Sequence, residues 1–429
     1  HLSLRRQRQM CIRDRDRTSS SPVVAPNAAT STAAASNRVS DMTSIESFAI
    51  PYDPVAVSDL HHRLDNTRYP LGVANDDWKY GMQRDWLERF VHYWRHDFDW
   101  QAKVAEMNSV PNHRVVIDGI PIHFVHLKAA RSNASAAPAM PIITTHGWPW
   151  TYWDYMKTAH QLAAANFDVV VPALPGFGWS SPLPVGHLTT RDVANLWNKL
   201  MTEVLGYPKY AAHGGDWGAI VTGELAHAHA ANLYGAHITL PIFPGLDRGS
   251  LTPDDYDEEE KHYPQLMKQR MATATSHYTV QGIEPETLSY AMHDSPAGMA
   301  AWLIERRRLW SDSLTDSGHR DVETTHTLED LATLVSIYWF SGSFWSSCRM
   351  YYGRTNDPWV PAHDRKPIIE APTAMAVFPG DLIFVPRRGA EKVANIKRWT
   401  RMPAGGHFAA AEQPDLVAND VAEFFSDFR

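Results

Sequence analysis

The feature that most constrains the fold is a sharp turn between a predicted strand and a predicted helix. Residues 214–218 read Gly-Gly-Asp-Trp-Gly, a short apolar strand at residues 209–213 runs into this turn, and a helix of small residues at 219–229 leaves it. The small residues let the strand and the helix approach closely, so the turn forces the side chain of Asp216 outward. A strand that passes directly into a helix also predicts a parallel sheet with helices on its faces.

Elsewhere in the chain, strands and helices alternate in the same way. Residues 114–126 predict a β-hairpin in which Asp118 and Gly119 supply the positive φ angles of a two-residue turn. Apolar runs and apolar spacing predict further strands and helices, and these lie at 141–146, 167–172, 373–378 and 395–400 for the strands and at 189–205 and 412–427 for the helices. We therefore expect an α/β fold, in which a helical cap is inserted into a core with a mainly parallel sheet.

Composition divides the chain into five segments. An aromatic stripe that includes Trp86, Phe90 and Trp94 predicts a helix with a buried face before the sheet begins. The alternation of strands and helices stops after about residue 240 and resumes after about residue 360. The predicted organisation is a disordered tail at 1–45, a mostly helical N-terminal region at 46–110, the first half of the core at 111–240, the cap at 241–360 and the second half of the core at 361–429.

The first 41 residues differ from the rest of the chain. Residues 1–17 are dominated by Arg and Gln, and residues 18–41 are rich in Ser, Thr, Ala and Pro. Such a segment buries too little apolar surface to offset the entropy lost on ordering. We expect it to be disordered and non-catalytic, and to be an upstream read-through ahead of a natural start at Met42.

Charge and cysteine content exclude several classes of protein. The net charge of −8 offers no basic surface for nucleic acid or for an anionic membrane. Cys11 and Cys348 are the only cysteines, which excludes a disulfide framework and a thiol-rich metal site. The sequence lacks an apolar run of about 18 residues and a convincing signal peptide, so we expect a soluble, cytoplasmic protein without a membrane span.

Motifs for cofactors and metals are also missing from the sequence. Neither a phosphate-binding loop nor a dinucleotide fingerprint occurs between a strand and a helix. His227 and His229 lack an acidic residue at the spacing of zinc proteases, and we interpret them as a pair on the surface of a helix. We therefore expect neither a metal nor an organic cofactor.

Asp216 stands where a nucleophile is expected in a strand–turn–helix of this kind, although the residue there is usually Ser. An Asp at this point is equally compatible with a cap for the following helix. The loop His-Gly-Trp-Pro at residues 146–149 follows an earlier strand, where a second half of an oxyanion hole is expected. The backbone N–H groups of Trp148 and Trp217 would then point at one developing negative charge.

Two later residues complete a set with Asp216. Asp381 follows a predicted strand, and His407 lies in a Gly-rich loop after the last strand, just before a helix. An acid followed by a histidine is the chain order of the α/β-hydrolases. Glu391 is the nearest acidic competitor of Asp381, but it falls within a predicted helix. The sequence thus predicts Asp216 as nucleophile, His407 as base and Asp381 as the acid that orients the histidine.

An Asp nucleophile restricts the chemistry. Attack on a carboxylic ester or a peptide would form a mixed anhydride, which is a better leaving group than the original alkoxide. Attack on a saturated carbon forms a stable ester, which water activated by His407 can then hydrolyse. The leaving group is therefore the oxygen of an epoxide or a halide, and the residues alone leave both open.

The chain resembles the microsomal-type epoxide hydrolase family from about Ile50 to its end. The resemblance is carried by Tyr-Asp-Pro at 52–54, Arg-Tyr-Pro at 68–70, the loop at 146–149, Leu-Pro-Gly-Phe-Gly-Trp-Ser at 174–180, the turn at 214–218, Asp-Ser-Pro-Ala-Gly at 294–298 and Tyr-Trp at 338–339. It implies an epoxide hydrolase in which two tyrosines of the cap protonate the epoxide oxygen. Tyr278 and Tyr351 fit those positions, and Tyr352 is an alternative to Tyr351.

The resemblance also sets the expected partners. It implies an apolar epoxide as substrate, water as co-substrate and a homodimer, in a form without the N-terminal membrane anchor of vertebrate and insect members. Asp381 replaces a Glu found in some members, and either carboxylate suits the role. Trp150 stands where a small residue is more usual, which predicts extra bulk near the mouth of the pocket.

Two other functions stay compatible with parts of the pattern. A haloalkane dehalogenase shares the Asp-Trp turn, the His and the acid, but it does not resemble this chain in the cap tyrosines or the N-terminal region. A non-catalytic ligand-binding protein of the same fold usually lacks one of the three catalytic residues, whereas this sequence carries all of them.

Overall fold

A computed structural model describes residues 44–130 and 138–429 of the chain. The disordered tail predicted for residues 1–45 lies outside this description, except for its last two residues. In the part of the chain that is described, no helix is both long and apolar enough to cross a lipid bilayer.

The N-terminal region combines one short strand with three helices, and these are β1 (Glu46–Ser47), α1 (Pro54–Asp65), α2 (Arg84–His96) and α3 (Trp100–Met107). The predicted aromatic stripe is the buried face of α2, where the rings of Trp86 and Phe90 stack with centroids 5.6 Å apart. The indole Nε1 of Trp94 donates a 2.9 Å hydrogen bond to the hydroxyl of Ser336 in the cap. The region therefore packs its aromatic face against the inserted cap.

The first half of the core alternates strands with helices. Its elements are β2 (Asn112–Ile117), β3 (Ile120–Leu127), β4 (Met140–Thr145), α4 (Met156–Ala164), β5 (Phe167–Pro172), α5 (Thr190–Lys199), β6 (Tyr210–Gly214), α6 (Trp217–Ala228) and β7 (Leu233–Ile238). The predicted hairpin joins β2 to β3, and both Asp118 and Gly119 have positive φ angles of 51° and 80°. A five-residue π-helical segment, Leu200–Val204, extends α5 over the rest of the predicted helix at 189–205.

The stretch predicted as the cap, residues 241–360, contains six α-helices that are joined by loops and short 3-10 turns. Its helices are α7 (Tyr263–Ala274), α8 (Ser276–Ile283), α9 (Pro285–Asp294), α10 (Pro296–Trp310), α11 (Leu328–Ser341) and α12 (Phe344–Asn356). The chain then returns to the core, which it completes with β8 (Ile369–Val377), α13 (Arg387–Glu391), β9 (Ala394–Arg401), α14 (Ala409–Glu412) and α15 (Pro414–Ser426).

The nine strands within the described residues form one sheet, in the order β1-β2-β3-β5-β4-β6-β7-β8-β9. The pairs from β5 to β9 along this order are parallel, and the pairs that involve β1, β2 and β3 are antiparallel. Every residue of β4, β5 and β6 is buried, which explains their uninterrupted apolar runs. The carboxyl ends of the parallel strands meet at one edge, where ligands bind in open α/β sheets.

The interpretation of His227 and His229 as a surface pair is wrong for His227. Its ring is fully buried, Nδ1 donates to the carbonyl of Ile368 at 2.7 Å, and Nε2 accepts from the backbone N–H of Ala362 at 2.8 Å. The helix α6 is buried on nearly all sides by the sheet and by the segment before β8. The sequence of α6 has no apolar stripe, so it did not indicate that any face of this helix is exposed.

A buried polar network connects the sheet to the last helix. Asp420 of α15 accepts hydrogen bonds from His237 of β7 at 2.9 Å and from Thr400 of β9 at 2.8 Å, and it pairs with Arg398. Burial opposes the charge of Asp420, but these partners hold the pKa of its carboxyl far below the ordinary value. Asp420 therefore ties two strands of the sheet to α15.

We expect Asp420→Asn to lower the free energy of unfolding by about 2–4 kcal/mol, since the change leaves His237 and Arg398 without their shared carboxylate. Urea or thermal unfolding measures the effect. Glu423→Gln is the matched control, because Glu423 contacts the same Arg398 from an exposed position and should change stability by less than about 0.5 kcal/mol. Equal effects of the two substitutions would contradict a structural role for the buried network.

Candidate active site

Asp216 occupies a strained turn that leaves its side chain free. Its φ of 52° and ψ of −123° lie in a region that residues with side chains rarely adopt. Gly218 makes this turn possible, because a Cβ at that position would overlap the carbonyl oxygen of Thr145 in β4. The Asp216 carboxylate makes no capping hydrogen bond to α6, so the alternative role as a helix cap does not apply.

The loop before α4 supplies the first contact of this carboxylate. The backbone N–H of Trp148 donates to Oδ1 of Asp216 at 2.7 Å. Gly147 leaves room for the contact, since a Cβ there would collide with the Asp216 side chain. The N–H of Trp217 lies in the first turn of α6, where helix geometry provides no acceptor for it. Both predicted oxyanion donors therefore lie beside Asp216.

His407 joins the two predicted carboxylates. Its Nε2 lies 3.2 Å from Oδ2 of Asp216, and its Nδ1 lies 2.8 Å from Oδ1 of Asp381. The same Oδ1 of Asp381 accepts the backbone N–H of Leu382 at 2.6 Å, which fixes the carboxylate behind the ring. Glu391, the predicted competitor, lies on α13 and pairs with Arg387 instead.

The surroundings of His407 favour its charged form. Burial opposes a charge on the ring, but Asp381 and Asp216 flank it on both sides and raise the pKa of His407 well above its ordinary value. Loss of the negative charge on either carboxylate would therefore lower that pKa. The proton affinity of His407 is thus coupled to the chemical state of Asp216.

A cavity of about 360 Å³ opens in front of Asp216, between the core and the cap. Tyr278 of α8 and Tyr351 of α12 both line it, with ring centroids 5.5 Å apart. Tyr351 is only 2% exposed, and burial together with the nearby Asp216 carboxylate raises its pKa well above the ordinary value. Tyr352 is 38% exposed, lies outside the cavity lining and contacts His187. The geometry therefore favours Tyr351 over Tyr352.

Other residues of this site give no signal in the sequence. Glu412 accepts the backbone N–H groups of Gly406 at 3.0 Å and Phe408 at 2.9 Å, which flank His407. Burial raises the pKa of Glu412 to about 7, although these hydrogen bonds act in the opposite direction. The backbone N–H of His407 donates to the carbonyl of Trp310 at the end of α10. The histidine loop is therefore held by both the core and the cap.

His277 is a second residue that the sequence does not single out. It lines the cavity, and its ring stacks on that of Trp148 with centroids 5.3 Å apart and planes 5° apart. Burial and the nearby Arg306 lower the pKa of His277 to about 3, so the imidazole is neutral. Its only sequence signal is its position next to Tyr278.

The prediction that Trp150 adds bulk near the mouth of the pocket is wrong. Its side chain is fully buried and is not part of the cavity lining. The indole packs against Tyr155, His407 and Phe408, with centroids 5.7, 6.0 and 5.4 Å away. The backbone makes a tight turn over residues 147–150, where the Trp150 N–H donates to the carbonyl of Gly147 at 3.3 Å, and Trp150 enters the core at the end of this turn.

Solved structures share this fold. The juvenile hormone epoxide hydrolase of the silkworm Bombyx mori superposes with a TM-score of 0.79 at 23% sequence identity, over 90% of this chain and 95% of that one. An epoxide hydrolase of Aspergillus niger gives a TM-score of 0.76 at 24% identity, over 90% of this chain and 96% of that one. At these identities the likeness establishes the α/β-hydrolase fold.

Sequence comparisons establish the family. The model described as "Epoxide hydrolase N terminus" matches residues 45–155, and the model of the "Alpha/beta hydrolase family" matches residues 142–420. A Stigmatella aurantiaca protein that carries the name of an epoxide hydrolase is 34% identical over 90% of this chain and 86% of its own length. Epoxide hydrolase 1 of Oryctolagus cuniculus is 31% identical over 89% of this chain and 88% of its own. The chain therefore belongs to the microsomal-type epoxide hydrolase family and is an epoxide hydrolase.

Proposed function

We propose that this chain converts an apolar epoxide to a vicinal diol through a covalent ester on Asp216, with water as the co-substrate. The observation that carries the proposal is the position of the Asp216 carboxylate. This carboxylate faces the cavity that Tyr278 and Tyr351 line. On its other side it contacts the Trp148 N–H and His407. A nucleophile, a base and two acids thus surround one space.

In the first step, Oδ2 of Asp216 attacks a carbon of the epoxide ring. Oδ1 accepts the short 2.7 Å hydrogen bond of the Trp148 N–H, whereas Oδ2 has the longer 3.2 Å contact with His407, so we assign Oδ2 as the attacking atom. The ring C–O bond breaks, and its electron pair goes to the epoxide oxygen, which takes a proton from Tyr278 or Tyr351. Burial and the Asp216 charge raise the pKa of the Tyr351 phenol, so it stays protonated until the epoxide oxygen develops into an alkoxide, which is a stronger base than a phenolate. An oxygen leaving group needs such an acid, whereas a halide does not, and this favours an epoxide over a haloalkane.

Ester formation removes the negative charge of Asp216 and so lowers the pKa of His407. His407 loses its proton to the tyrosine, where it replaces the proton that the tyrosine gave to the epoxide oxygen. The imidazole of His407 is then neutral and is held by Asp381. This imidazole accepts a proton from water, and the hydroxide attacks the ester carbonyl carbon. The oxyanion develops on Oδ1, where the N–H groups of Trp148 and Trp217 stabilise it. The intermediate collapses, its new hydroxyl proton passes to the departing alkoxide, and the diol leaves Asp216 ionised again.

The ester intermediate can be trapped. In His407→Gln, attack by Asp216 should proceed while hydrolysis slows by about 10³-fold or more. Intact-protein mass spectrometry should then show the added mass of styrene oxide, and peptide mapping should place it on the peptide that contains Asp216. Asp216→Asn should neither turn over nor gain mass. In the wild-type enzyme, a single turnover in ¹⁸O-labelled water should place the label in Asp216. Label in the diol after the first turnover would contradict the ester mechanism.

The roles of the two tyrosines can be tested by substituting each of them and measuring the rate of ester formation. Tyr351→Phe and Tyr278→Phe should each slow ester formation by about 10- to 100-fold, because the epoxide oxygen loses one of its two proton donors. Tyr352→Phe is the matched control on the same helix and should change the rate less than about twofold. A larger effect at Tyr352 than at Tyr351 would reverse the assignment of Tyr351 as the second proton donor. Separately, bromide release from a bromoalkane at a rate above that of diol formation would favour a haloalkane dehalogenase.

The pH dependence of ester hydrolysis follows from the two carboxylates around His407. Hydrolysis needs the neutral ring, so its rate should rise with pH up to a plateau. Asp381→Asn removes a charge that raises the pKa of His407, so the midpoint should move to lower pH while the plateau falls by about 10²-fold or more. Rapid-quench single turnovers measure both quantities. Glu391→Gln should leave the profile unchanged, and a midpoint that moves upward in Asp381→Asn would refute the coupling.

A further inference from the structure

Two arginine side chains, Arg248 and Arg354, line the same cavity as Asp216. Neither guanidinium makes a hydrogen bond or an ion pair within the described residues. Among the groups that line the cavity, they are the only side chains that are permanently positive. The mechanism proposed above uses neither of them.

The carboxylates near these arginines are already engaged. Glu224, whose charge Arg354 senses, is buried and accepts from Arg191 at 2.7 Å through Oε2 and from the indole of Trp359 at 2.6 Å through Oε1. Asp247 and Asp357, the acidic residues nearest to these arginines in the chain, bind the backbone N–H of Gly249 and the ring of His187, respectively. Arg248 and Arg354 are both exposed, so two solvated positive charges border the cavity without a carboxylate partner among the described residues.

Two helices relate Arg354 to the nucleophile. Glu224, whose charge Arg354 senses, lies eight residues after Asp216 on α6, which corresponds to about 12 Å along the helix axis. Arg354 lies one turn after Tyr351 on α12, on the same face of that helix. Part of the cavity lining is apolar and includes Ile220, Leu240 and Ile242. The lining thus combines the reactive groups, an apolar surface and two cations.

We propose that the substrate is an epoxide whose apolar body ends in a carboxylate, which Arg248 and Arg354 bind at the border of the cavity. The inference rests on the proposed function and narrows its substrate class. Guanidinium groups bind carboxylates through paired, charge-assisted hydrogen bonds. They also offset the repulsion that the Asp216 carboxylate exerts on an anionic substrate. A substrate without a charged end would leave both arginines unused.

The test compares a mid-chain epoxy fatty acid with its methyl ester, both below their critical micelle concentrations. We expect the wild-type enzyme to show a kcat/KM for the acid that is about tenfold or more above that for the ester. Arg248→Gln and Arg354→Gln should each lower this ratio by roughly fivefold to tenfold, mainly through KM. Arg354→Lys should restore most of the preference, and added salt should weaken it.

Arg349→Gln is the matched control, because Arg349 lies on the same helix but binds Glu286 and lies outside the cavity lining. It should leave the ratio unchanged. A wild-type ratio of one or below, or an equal ratio in the two arginine variants and the wild type, would overturn the inference. If the ester is opened without any preference for the acid, the proposed function stands and only the substrate class fails. If neither compound yields diol or a covalent ester on Asp216, the proposed function itself fails.

Discussion

A backbone contact that excludes any side chain sets the geometry of this enzyme. Gly218 packs so closely on the carbonyl oxygen of Thr145 that α6 lies directly against β4. The chain between β6 and α6 then has too little length to turn with ordinary dihedral angles, and Asp216 takes up the strain at φ 52°. The carboxylate is therefore presented at the carboxyl edge of the sheet by the fold itself, before any contact with His407 is made.

The electrostatics of the site depend on that placement. His407 lies between two carboxylates in a buried environment, where charges interact more strongly than in water. In the mechanism proposed above, such a ring holds a proton tightly while Asp216 is ionised and releases it when Asp216 is esterified. That mechanism lets one residue serve as counter-ion in the resting enzyme and as base in the intermediate, without a movement of its side chain.

Much of the fold and of the central site could be predicted from the sequence. The hairpin at Asp118, the strand that leads to Asp216 and the chain order of Asp381 and His407 all depend on local patterns, which the folded chain preserves. The two wrong predictions concern the direction in which a side chain points, which a local sequence pattern does not encode. Trp150 packs against His407 in the core because the loop turns over residues 147–150, and His227 is buried because another segment covers α6.

The residues that the sequence did not indicate act across long separations in the chain. Arg354 lines the cavity from α12, more than one hundred residues after both Asp216 and Arg248, which line the same cavity. Glu412 acts through backbone groups of its neighbours, so its role leaves no mark on the spacing of side chains. Contacts of this kind become visible only when the tertiary structure brings the segments together.

The hydrogen bond from the His407 backbone to Trp310 has a consequence for how such enzymes diversify. The cap contributes the substrate-facing tyrosines, so its exchange between relatives would be the obvious route to new specificities. Yet the last turn of α10 also anchors the histidine loop of the core. A chimera that replaces the whole cap would therefore disturb the base, whereas one that retains the Trp310 segment and exchanges α8 and α12 would preserve it. The boundary of the exchangeable module lies inside the cap and does not coincide with the ends of the insertion.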